Sequence, residues 1–138
     1  MTDDDFSAIE RYMGRPVPRA YRGMLVEYPL DLNDWNSPLA LFPTRDKVLA
    51  WNSELREGEF AGEWGADRFA IGMSACGDTY FLDLKDHSES VFVWDHETHE
   101  VSEEAPNLAA FVAECKKLEA SLKSPSPPKK PWWRIFGS

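Results

Sequence analysis

Four side chains with nucleophilic or metal-binding capacity lie between positions 76 and 99: Cys76, His87, His96 and His99, with Asp95 and Glu97 beside the last two. A Cys76–His87 pair is the minimum of a thiol hydrolase, in which an imidazole takes the thiol proton. Cys76, however, stands between Ala75 and Gly77, with neither a cation nor a helix start to lower its pKa, and no segment offers an oxyanion hole. His96-x-x-His99 supplies two ligands on one tight turn, short of the three or four that zinc takes, and reads as a solvated hairpin turn. No Walker loop, G-x-S-x-G or Gly-rich dinucleotide turn is present. The expectation is no catalytic centre, no metal site and no cofactor.

Recognition is the chemistry left. Two loops carry tryptophan among carboxylates: Asp34 and Trp35 in one, Glu57, Glu59, Glu63 and Trp64 at and beyond the end of a helix. Aromatic anchors ringed by charge are what tight protein interfaces use, and Trp is enriched at their hot spots. The opposing reading is that both rings fold back and cap the core, as large aromatics more often do. A second recognition element closes the chain. A Ser-Pro-Ser-Pro-Pro-Lys-Lys-Pro spacer, stiff and extended, leads into Trp132-Trp133-Arg134-Ile135-Phe136. This tail suits docking to a partner or to its own domain. Rings and cations also suit a membrane interface, the one route to lipid in the chain, although one short piece binds lipid weakly.

Charge favours a protein partner. All 24 carboxylates lie in residues 1–123 with 12 of the 15 Lys/Arg, a balance of −12, while Lys129, Lys130 and Arg134 give the tail +3. Such a domain repels phosphate backbones and attracts basic proteins. The two cysteines form no framework and read as reduced thiols. The N-terminus is acidic and no long apolar run follows, so the expected location is the cytosol.

The elements that must position these residues follow from pattern and length. With 138 residues, one domain over 3–123 is expected, with the tail at 124–138 outside it. Asp3 to Met13 suits a helix with Phe6, Ile9 and Met13 on one face and Gly14 ending it. Pro18 suits the start of a second helix bearing Tyr21, Met24, Leu25 and Tyr28, stopped by Pro29. Leu39 to Phe42 suggests a short strand, and Thr44 caps a helix to about Glu57. Phe69–Gly72, Thr79–Leu84 and Val91–Asp95, separated by Gly/Asp/Ser/Glu turns, predict an antiparallel meander over about 67–101. A last helix from the N-cap Asn107 to Leu122 would bury Leu108, Phe111, Val112, Cys115, Leu118 and Leu122. The fold class is α+β: a mainly antiparallel sheet of four to six strands, helices packed on one side and a helix at each end.

This order resembles the SUKH superfamily, which holds Smi/Knr-type yeast cell-wall-synthesis regulators and bacterial toxin-immunity proteins. The resemblance spans about residues 5–120. It rests on the opening helix ending at Gly14 and Pro16, on Pro18-Arg19-Ala20-Tyr21-Arg22 and on the helix around Val48-Leu49-Ala50-Trp51-Asn52. The Gly77-Asp78 turn before Leu82-Asp83-Leu84 and the final helix with Phe111-Val112 complete it. Tyr28-Pro29-Leu30 departs from the Asn-Gly turn frequent there, and the Pro-rich tail departs as well. The resemblance implies a non-enzymatic, protein-binding role: an immunity protein that neutralises a basic toxin domain or, alternatively, a regulatory adaptor docking through its tail.

Overall fold

The computed structural model describes residues 1–30, 40–86 and 88–122. Among them, five helices surround one antiparallel sheet: α1 (Asp3–Met13), α2 (Arg19–Leu25), α3 (Arg45–Glu57), α4 (Ala61–Trp64), β1 (Arg68–Met73), β2 (Thr79–Asp83), β3 (Val91–Trp94), β4 (Val101–Ala105) and α5 (Leu108–Leu122). The strands lie in chain order, β1-β2-β3-β4, each antiparallel to the next. The α+β class expected from the sequence is the one observed.

The helices start where capping chemistry places them. Thr2 accepts from Asp5 N–H at 3.2 Å while the Asp5 carboxylate accepts from Thr2 N–H at 2.9 Å, a reciprocal capping box that also lowers the Asp5 pKa. Gly14, at φ 73°, closes α1 in the left-handed region. Thr44 caps α3 and Asn107 caps α5, accepting from Ala110 N–H at 2.8 Å. Pro18 is the N-cap of α2 rather than its first residue, and α2 ends at Leu25, before Pro29. The Met1 ammonium donates to Leu25 O at 2.6 Å, a positive charge on the carbonyl end of that helix.

Phe6, Ile9, Tyr21, Leu25, Val48, Leu55, Phe69, Ile71 and Phe81 form the centre of the core. Successive residues of β2 point to opposite faces: Tyr80 meets Phe111 of α5 at 4.8 Å and Phe81 meets Trp64 of α4 at 5.2 Å. Helices α5 and α4 thus meet successive residues of β2. On α5, Leu108, Phe111 and Val112 are buried, but Leu118 is 59% exposed and Glu119 is buried in its place. The reason is rotation: at 100° per residue, position 119 returns to the azimuth of Leu108, whereas 118 stops about 80° short. The Leu122 side chain lies outside the described residues.

Two departures concern the sheet. Val101–Ala105 is a strand although it reads Val-Ser-Glu-Glu-Ala, with four of its five residues exposed. Residues 40–42 form no regular strand. They do cross β1 closely, with Phe42 N–H donating to Ile71 O at 2.8 Å. A bulge at Ile71 opens the β1–β2 register here. A Cβ on Gly72 would sit 1.9 Å from Ala40 O, so the crossing requires glycine at 72. Asn52, 1% exposed, completes this edge: its amide donates to Ala70 O and accepts from Ala70 N–H, both at 2.9 Å, as a neighbouring strand would.

Candidate functional site

Two turns and one short helix converge at one end of the sheet. In the β1–β2 turn, Ser74 Oγ accepts from Cys76 and Asp78 N–H, and Gly77 takes φ 96°. In the β3–β4 turn, Asp95 Oδ1 accepts from Glu97 N–H at 2.7 Å and Thr98 N–H at 2.9 Å. Those amide bonds, from Thr98 first and then Glu97, hold the Asp95 carboxyl below its usual pKa. The chain leaves this turn through His99, the one non-glycine residue with positive φ among those described, at 63°.

A side-chain pair from each histidine ties the turns into the molecule. Asp78 Oδ1 lies 2.7 Å from His96 Nδ1 and accepts from His96 N–H at 3.2 Å, joining the two turns. This hydrogen bond is the main reason the His96 pKa is raised, with the Asp78 charge adding to it. His99 pairs with Glu63 of α4 through Nδ1. Its ring stacks on Trp94 at 4.8 Å and 17°, and meets the edge of Phe60 at 5.2 Å. Left-handed backbone is uncommon outside glycine, though histidine tolerates it better than most. Here it presents an imidazole to a carboxylate and two aromatic rings at once.

Trp64 lies elsewhere than on a partner-facing surface. It is 1% exposed, edge-on to Phe81 at 5.2 Å and Trp94 at 5.6 Å, with the Arg68 guanidinium 5.6 Å from its ring. One helical turn, α4, swings the indole inward, so the core-capping reading holds for it. Glu59 and Glu63 are exposed, Glu63 beside His99. Glu57 is engaged differently, accepting from Ser53 OH at 2.7 Å and Tyr12 OH at 2.8 Å, which in that order lower its pKa. It borders an open recess of about 360 Å³ lined by Tyr12, Arg56, Glu57, Ala61, Gly65 and Ala66. Asp34, Trp35 and the tail residues Trp132, Trp133, Arg134, Ile135 and Phe136 lie outside the described residues, as does His87 of the imagined thiol dyad.

The sequence reading missed Asp78, Phe60 and His99 as partners. The available signal was the Asp-x-x-x-His spacing of the second turn, in which Asp95 accepts the turn amides and His99 ends it. Asp78, Asp95 and His96 place one potential metal ligand each within 4.8 Å of one another. Hydrogen bonds within and between the turns account for that cluster: Asp78 Oδ1 faces His96, and Asp95 Oδ1 is committed to two amides. Cys76 is exposed, and Cys115 is half-buried with its thiol pushed up to about 11 by burial and by Glu119, Glu104 and Glu114. At neutral pH Cys115 is a thiol and a poor nucleophile.

What the geometry defines is a small α+β scaffold with an acidic end floored by aromatic rings. The profile of the SMI1 / KNR4 family (SUKH-1) matches residues 1–114, and the chain belongs to that family. No curated protein and no solved structure matches it. Among the described residues no helix is long and apolar enough to cross a membrane.

Proposed function

We propose that this protein is a non-catalytic immunity protein that captures a basic toxin domain in the cytosol. The binding surface is the end of the sheet formed by α4 and the two turns, with Glu59, Glu63, Asp78, Glu97 and Glu100 around Phe60 and His99. One observation carries this reading. Across α4 with its approach (residues 59–65) and the two turns (residues 74–78 and 95–100) the chain has six carboxylates, Glu59, Glu63, Asp78, Asp95, Glu97 and Glu100, and no Lys or Arg. A surface of one sign accelerates and orients encounter with its opposite, more than it deepens affinity. Family membership supports a protein-binding role, and the high thiol pKa of Cys115 weakens that residue's own case as a nucleophile.

The test is co-expression with the toxic product of a neighbouring gene, which should restore growth. Reversing charge by Glu59→Lys with Glu63→Lys should slow association by about tenfold at low salt and leave a smaller difference at high salt. No protection by soluble, folded protein would remove the immunity reading. It would leave the regulatory adaptor, which the aromatic tail favours.

A further inference from the structure

The outer edge of β4 is unlike every other border of the sheet. Among the described residues, β4 pairs with β3 on one side and with no strand on the other. Its residues Val101, Ser102, Glu103 and Glu104 are exposed, Val101 at 42%. An open edge presents unpaired N–H and C=O groups, which can template a further strand.

We propose that this edge is the docking site of the chain's own segment Trp132–Phe136, which adds to β4 as a fifth strand. The inference is independent of the toxin-binding reading. Four observations carry it. First, Trp-Trp-Arg-Ile-Phe is rich in aromatic and β-branched residues and contains no proline, so every one of its amides can donate to a ladder. Second, both segments have five residues, and centring one on the other sets Arg134 opposite Glu103, a favourable cross-strand charge pair. Lys129 and Lys130 add to the attraction of a strand that contributes two adjacent carboxylates, Glu103 and Glu104.

Third, the chain can reach. Helix α5 begins at Leu108, three residues beyond the end of β4, and its 15 residues extend about 22 Å. The nine residues from Lys123 to Pro131 span up to about 28 Å as polyproline II, enough to return along the helix. Tethering makes the second event intramolecular, at an effective concentration in the millimolar range for linkers of suitable span. Fourth, the opposite edge is taken, since Asn52 holds both backbone groups of Ala70 and Phe42 N–H holds Ile71 O. Docking at β4 would place rings of the tail against exposed Val101.

Amide hydrogen exchange on the full-length chain tests the proposal. In the native chain the β4 amides that do not bond to β3 should exchange about tenfold more slowly than in Trp132→Ala/Trp133→Ala, as for an edge bonded most of the time. Glu103→Arg should abolish this protection, and adding Arg134→Glu to it should restore the protection. Circular dichroism on each variant verifies that the domain is folded, which is expected because all these positions are exposed or lie outside the domain. Equal exchange in the native and Trp-substituted chains overturns the proposal. Protection that rises with protein concentration also overturns it, assigning the edge to a second copy. Protection that appears only with anionic phosphatidylserine vesicles does the same, assigning the tail to lipid.

Discussion

At β1 the sheet ends against protein, with Asn52 bonded to both the N–H and the C=O of Ala70 and residues 40–42 lying so close that position 72 has no room for a side chain. At β4 it ends with Ser102, Glu103 and Glu104 exposed. The contrast separates two uses of an edge. The first is closed by buried, directional bonds whose loss leaves unsatisfied groups in the core. The second is guarded by charge alone, which keeps unwanted strands away and admits one of opposite sign. Stability should therefore depend on β1, and selectivity on β4 and the neighbouring turns.

Substitutions can sharpen or break that division. The largest effect is expected for Gly72→Val, whose Cβ would sit 1.9 Å from Ala40 O; a loss of at least about 3 kcal/mol in urea denaturation should result. Asn52→Ala strips partners from two buried backbone groups and should cost about 3 kcal/mol by the same measurement. A cost below about 0.5 kcal/mol would show that this edge is not closed as described. At the turn, His99→Ala should be less stable than His99→Gly by about 1 kcal/mol, because alanine keeps the left-handed penalty that glycine escapes. Equal stabilities would mean that the backbone relaxes out of that region.

The His96–Asp78 pair predicts a pH dependence of definite sign. Asp78 raises the His96 pKa above its ordinary value, so the folded state holds the proton more tightly than the unfolded chain. The stabilisation is complete below the unfolded pKa of about 6.5 and is lost as pH rises through the raised folded value. Melting temperatures of the native protein and Asp78→Asn should accordingly differ most below the unfolded imidazole pKa of about 6.5 and converge as pH rises through the raised folded value. A gap that widens with pH would contradict the pairing. Smallest of all, Glu103→Gln with Glu104→Gln should leave urea stability within about 0.5 kcal/mol of the native value.

Much of this architecture was legible in the sequence, and the exceptions share a cause. Capped, periodic helices such as α1, α3 and α5 announce themselves through local chemistry: Thr2, Thr44 and Asn107 cap, and Phe6, Ile9 and Met13 recur at helical spacing. Three strands with apolar, β-branched runs were equally plain. β4 was not, because an edge strand facing solvent carries polar residues and so mimics a loop. α4 was hidden by its length of one turn, and with it the inward swing of Trp64. The candidate surface was half legible. Its carboxylates stand in the sequence, but the approach of Asp78 to His96 is created by the register of β2 with β3, and that of Glu63 to His99 by the placement of α4. No local pattern encodes a contact made by tertiary placement.

The two thiols differ in a way that is useful at the bench. Cys76 sits exposed in the β1–β2 turn, two residues from Asp78, while Cys115 is half-buried in α5 with its ionisation pushed up to about 11. A maleimide dye near neutral pH should accordingly label the first and spare the second. One fluorophore would then report from the acidic end of the molecule without any engineered cysteine, and quenching or release of its emission would register the arrival of a bound protein there.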